Sequence, residues 1–309
     1  MKLNKFAATF AALSIFGMGS AQADSFASAV LTITNIKWIN NATNLPLVNG
    51  GEGTIIGGQN KADASVNLTG FSTLPISDTP SLDTGGQIPF RNTCIGVDCT
   101  GTPPNPGPPA NVLPNGKTYS YADYSLSGAV VDVPPAIAAG ANANSTAQVD
   151  LSGKIGNPSA GTSSSNVGSN ASFSIKPTNT VSTRFELDYA VHLVANIVGP
   201  FGAGDAAKAS SKWNLIVRDN ADHINFLPPE LNFSVATTGA NGLSQYNATG
   251  KLVSGNFTMD AGEIYSFTIS SNVQAEGLRD FVPEPDSLAL FGIGAVGLMV
   301  SSLRRRKLA

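Results

Sequence analysis

Charge is what this chain has least of for its length. Asp, Glu, Lys and Arg make up 13% of 309 residues, and histidine and cysteine occur twice each. Scarce Glu, Lys and Arg disfavour long solvent-facing helices, and abundant Gly, Ser, Thr, Asn and Ala suit strands joined by turns. The two histidines, His192 and His223, lie far in sequence from Cys94 and Cys99, which argues against a Cys/His zinc centre. No Gly-x-Ser-x-Gly elbow and no His-x-x-x-His pair occurs, so two common hydrolase signatures are missing. Positive charge is short as well. Residues 24–282 keep 12 of the 18 basic and 19 of the 21 acidic side chains, a net of about −7, which is the wrong sign for binding nucleic acid.

Long uncharged runs are confined to the two ends. At the head, Lys2 and Lys5 precede an apolar stretch from Phe6 to Met18 and the small-residue pattern Ala21-Gln22-Ala23. This is the layout of a secretory leader, residues 1–23, with cleavage between Ala23 and Asp24. At the tail, Val282-Pro283-Glu284-Pro285 is followed by 17 uncharged residues, Ser287 to Leu303, and then by Arg304-Arg305-Arg306-Lys307. A helix of that run would be about 25 Å long, the low end of what crosses a bilayer core, and the four cations would hold its end in the cytoplasm. The body is then expected on the opposite side of the membrane.

The order of these three tail elements resembles the PEP-CTERM sorting signal of Gram-negative bacteria, over residues 282–309. The resemblance implies processing by exosortase, a membrane cysteine protease or transpeptidase, with Pro283, Glu284 and Pro285 as the motif it reads. It also implies association with exopolysaccharide and biofilm or floc formation. The prolines restrict their neighbours to extended backbone, which keeps the motif out of the following helix. Gly292-x-Gly294-x-x-Gly297 matches a dinucleotide fingerprint, but it lies inside the apolar run with no strand before it; small residues there suit close helix packing.

Residues 24–281 read as an all-β body, a β-sandwich of jelly-roll or immunoglobulin-like type with nine to eleven strands and long Pro/Gly-rich loops. Expected strands are Ala29–Ile39, Ala64–Leu68, Tyr119–Val133, Ala147–Ile155, Thr183–Val198, Lys212–Val217, Leu231–Ala236, Gly250–Met259 and Glu263–Ser270. Turns are expected at Asn49–Gly53 and at Gly57-Gly58. Residues 70–118, with prolines at 75, 80, 89, 103, 104, 106, 108, 109 and 114, read as one long loop, either a linker or an insertion. Residues 156–170, rich in Ser, Gly and Asn, read as a mobile loop. Cys94 and Cys99, five apart in an exported chain, are expected to close a small disulfide loop.

Several residue groups invite chemistry. Glu186, Asp188 and His192 share one face of the clearest strand and could pair as glycosidase carboxylates, although a solvated outer face explains them better. Residues 218–223, Arg-Asp-Asn-Ala-Asp-His, gather oxygen ligands of the kind calcium takes but lack the spacing of a calcium loop. Gly116-Lys117-Thr118 fails as a phosphate loop, because Asn111 stands where its first glycine belongs and Pro114 intrudes. Seven Asn-x-Ser/Thr sites carry no weight in a chain with a bacterial type of tail. Trp38, Trp213, Tyr119, Tyr121 and Tyr124 are the aromatics a carbohydrate-binding face could use. The expectation is a non-enzymatic exported protein, structural or adhesive, needing no cofactor. A carbohydrate-binding module is the alternative and a secreted hydrolase the remaining one.

Overall fold

The computed structural model describes residues 24–279 apart from 71–73, 79–86, 97–98, 100–117, 132–138, 153–160, 200–203, 220–222 and 240–241. The leader, the sorting motif, the apolar run 287–303 and the basic stop all lie outside the described residues. No helix among the described residues is long and apolar enough to cross a membrane.

The described chain is all-β: β1 (Asp24–Asn40), β2 (Leu45–Pro46), β3 (Gly53–Leu68), β4 (Leu74–Asp78), β5 (Ile88–Gly96), β6 (Thr118–Ser127), β7 (Ala141–Leu151), β8 (Gly161–Pro177), β9 (Val181–Val198), β10 (Ala206–Arg218), β11 (His223–Phe226), β12 (Phe233–Thr238), β13 (Gly242–Val253), β14 (Phe257–Met259) and β15 (Tyr265–Arg279), with one 3-10 turn at Pro229–Leu231. Two antiparallel sheets pack face to face. The first runs β13-β9-β1-β7-β6-β5, with β14 on β9 and β2 on β1; the second runs β11-β10-β15-β8-β3-β4, with β12 on β10.

The core between the sheets is aromatic. Trp38 of β1 meets Phe185, Phe257 and, across the sandwich, Phe267 at centroid distances of 5.4, 5.0 and 4.2 Å, all edge-on. Phe267 stacks on Phe173 at 5.0 Å. Edge-on and offset ring pairs add about 0.5–1.5 kcal/mol each to what burial contributes.

The inner face of β1 changes parity partway along. Ala27, Ala29, Leu31 and Ile33 are buried in the core, and then Ile36 and Trp38. Asn35, at φ 57°, makes the change: the register shifts there against both β7 and β9. A bulge with one residue in left-handed backbone bends the strand and turns the following side chains over, which is why both faces of this segment read as apolar.

Three sequence expectations are corrected. Residues 156–170 were expected to loop, yet 161–170 form half of β8, a central strand bonded to β15 along one edge and β3 along the other. Residues 70–118 contain β4 and β5, on the edges of different sheets. Their prolines sit where a missing N–H is tolerated, Pro75 in edge strand β4 and Pro89 in the register break between Ile88 and Arg91. Gly57 and Gly58 lie inside β3, beside a shift between Ile55 and Gly57, rather than in a turn.

Candidate functional site

The outer face of β9 brings Glu186, Asp188 and His192 together and gives each a structural partner. Arg184 reaches Glu186 at 2.6 Å and donates from Nη1 to Asn41 Oδ1 at 2.9 Å, while Lys251 of β13 pairs with the same Glu186 carboxylate. Burial pushes the Glu186 carboxyl up, but hydrogen bonds and charge from Lys251 and Arg184 outweigh it and hold the group below the usual range. A general acid needs the opposite shift. Asp188 accepts from Asn35 Nδ2 at 2.9 Å, and His192 Nδ1 lies against Asn247 Oδ1. These contacts fasten β9 to the bulge of β1 and to β13.

The other sequence candidates separate. Cys94 and Cys99 are bonded, with Cα atoms 5.8 Å apart. Gly96 between them has φ 136°, and a Cβ there would stand 2.2 Å from the Thr118 carbonyl oxygen, so the end of β5 approaches β6 this closely only with glycine. Within residues 218–223, positions 220–222 lie outside the described residues, and among those described no three His, Cys, Asp or Glu converge as a metal site. Trp38, Trp213, Tyr119, Tyr121 and Tyr124 are all buried, at 2% exposure or less, so none of them forms a sugar platform.

Two polar groups were not singled out in the sequence. On the outer side of β6 and β7, Asp123 is buried beside Tyr121 and Thr146. Burial raises its carboxyl to about 6 against the hydrogen bonds from both neighbours, and burial followed by the Asp123 charge raises the Tyr121 phenol. The alternation Tyr119, Tyr121, Asp123 was the available signal. The second group lies where the body begins and ends. Arg279 is 2% exposed and its Nη1 donates to the Leu151 carbonyl at 2.9 Å. Burial lowers its pKa, and the charges of Asp24 and Asp205 act the other way. Its place at the end of an otherwise ordinary strand hides it in the sequence.

Two hollows open among the described residues. A crevice of about 60 Å³ between the sheets is lined by Ile36, Leu126, Phe173, Trp213 and Ile269, with room for a few waters. A more open one of about 400 Å³ lies at one end of the second sheet, lined by Asn67, Thr162, Ser164, Lys208, Glu276 and Leu278.

No curated protein and no solved structure matches the chain. Its C-terminal segment, residues 281–306, matches the PEP-CTERM protein-sorting motif, which marks an exported protein that passes the membrane and is processed by exosortase.

Proposed function

We propose that this chain is exported by its leader, held transiently in the inner membrane by residues 287–303 with its body in the periplasm, and then separated from its tail at or near Pro283–Pro285. The mature sandwich ends at the cell surface or in the extracellular matrix as a non-enzymatic structural or adhesive component, associated with exopolysaccharide. The observation that carries this reading is the sorting motif at 281–306. The lack of a nucleophile or metal motif in the sequence supports a non-enzymatic body. Intact mass of the protein from cells and from medium tests the processing: the expected chain starts at Asp24 and has lost the residues beyond the motif. A chain ending at Ala309 in every fraction defeats it.

A carbohydrate-binding body is the second reading, now without the five aromatics first considered for it. What favours it is the outer face of the second sheet, where Asn214, Ser270, Asn170 and Lys61 form one row and Ser210, Gln274, Asn166 and Ser65 another. Hydroxyl and amide side chains at strand spacing match the hydrogen-bonding groups of a glycan. A glycan array with the mature protein distinguishes the two, and silence across neutral and acidic polysaccharides removes the second.

A further inference from the structure

Aromatic rings close the side of the sandwich where β13 of the first sheet meets β12 of the second. Tyr246 of β13 stacks on Phe233 of β12 at a centroid distance of 4.1 Å and an interplanar angle of 19°, and its hydroxyl donates to the Glu230 carbonyl at 3.2 Å. Further along β13, Gly250 pairs with Tyr189 of β9, and the Tyr189 ring lies over it: a Cβ on Gly250 would stand 3.2 Å from Tyr189 Cε1 and 3.3 Å from its phenol oxygen. Strand alternation puts Tyr246, Ala248 and Gly250 on one face of β13, so only small residues separate the two tyrosines there. Tyr189 and Tyr246 are half-buried at the rim of the core, and Phe233 is 44% exposed.

Glu230 belongs to the 3-10 turn Pro229–Leu231. Leu231 is fully buried, and Asn232 Nδ2 donates to the Trp213 carbonyl at 2.9 Å and to the Pro228 carbonyl at 2.8 Å, which fixes the turn against β10. Among the described residues no cation stands within ion-pair distance of the Glu230 carboxylate. Its charge acts on Tyr189 instead: burial first, then the Glu230 charge and the Tyr246 phenol, raise the Tyr189 phenol. Ring faces carry negative potential, so three rings and a carboxylate gather it at one rim of the fold with no positive side chain to answer it. We infer that Tyr189, Phe233, Tyr246 and Glu230 form a binding site for an alkylated ammonium group of the trimethylammonium type. A metal ion wants several convergent ligands, and no three His, Cys, Asp or Glu converge among the described residues. A methylated ammonium spreads its charge over an apolar surface, which suits rings that offer contact area and negative potential together. The site belongs to the folded body and does not depend on how the tail is processed.

The test titrates the full chain, in a nonionic detergent free of ammonium groups, with choline and with tetramethylammonium, following saturation transfer to the N-methyl protons by NMR. Both cations are expected to bind. The neutral isostere of choline, with carbon in place of nitrogen, is expected to bind about tenfold more weakly, because it keeps the shape and loses the charge. Glu230→Gln, Phe233→Leu and Tyr189→Leu are each expected to weaken choline by roughly two- to fivefold. Thermal melts of the same samples show which variants keep the fold, and Glu230→Gln removes only a charge that pairs with no cation, so it stays informative if the ring variants unfold. Glycerophosphocholine that binds as tightly as choline assigns the group to a lipid headgroup, and its exclusion assigns it to a small free cation. Three results overturn the inference: no transfer to either cation, a neutral isostere that binds as tightly as choline, or a Glu230→Gln chain that melts and binds like the parent.

Discussion

Single residues in this sandwich matter through what surrounds them, and Asp123 shows it most directly. Its folded carboxyl titrates near 6, above the roughly 3.9 of an unfolded aspartate. Between those values the folded state holds a proton the unfolded state has released, so this group lowers stability as pH rises from about 4 to about 6, and the penalty stays in full above that. Asp123→Asn is expected to raise the melting temperature at pH 8, by a free energy of order 2 kcal/mol, and to leave it nearly unchanged at pH 4. Equal effects at both pH values would show that the side chain acts through packing alone. Trp38 lies at the opposite extreme: fully buried among three rings from both sheets, it is expected to cost about 3–5 kcal/mol when cut to alanine, read as a lower midpoint in urea. Trp38 was legible as part of a buried strand from its β-branched neighbours. Asp123 was not, because the sequence does not say which outward faces are covered.

At the scale of the element, alternation and β-branching identified β1 and β9 well, whereas β8 was misread for a physical reason. Its first ten residues, Gly-Thr-Ser-Ser-Ser-Asn-Val-Gly-Ser-Asn, show no apolar alternation and carry only Thr162 and Val167 as β-branched residues. The inward side chains at that end are small, and their polarity is absorbed by the facing sheet: Ser165 Oγ donates to the Tyr121 carbonyl, and Ser120 Oγ to the Ser164 carbonyl at 2.8 Å. Both backbone edges are paired with neighbours. Tertiary pairing thus overrides weak local preference. The β1 bulge gives an element-scale prediction. Asn35 holds left-handed backbone and bonds Asp188, so Asn35→Gly keeps the conformation and loses one hydrogen bond, while Asn35→Val also strains the backbone. The glycine variant is expected within about 1 kcal/mol of the parent and the valine variant at least about 1 kcal/mol below it. Equal destabilisation in denaturant melts would mean that the bulge does not depend on its left-handed residue.

At the scale of the molecule, the first and last strands are interior to their sheets. β1 lies between β9 and β7, and β15 between β10 and β8 with ladders of 13 and 15 residue pairs. Such long-range pairing, from Asp24 to Val198 at its widest, was invisible in the sequence, since local patterns identify strands without saying which of them meet. It has a consequence for folding. The second sheet is split into β11-β10 and β8-β3-β4 until β15 arrives, and neither part covers the aromatic core that Phe267 completes. Long-range pairing is slow because the closure of the chain precedes the contacts that reward it. The body is therefore expected to stay unfolded until residues 265–279 are available to pair. A chain ending at Glu263 is expected to show no cooperative thermal transition and no sharp near-ultraviolet signal from Trp38 and Trp213, although it retains both tryptophans and the Cys94–Cys99 pair. Supplying a peptide of residues 264–280 in trans should restore both signals, because the missing strand has two long edges to pair with. A cooperative melt of the truncated chain alone would show that the fold closes without its last strand.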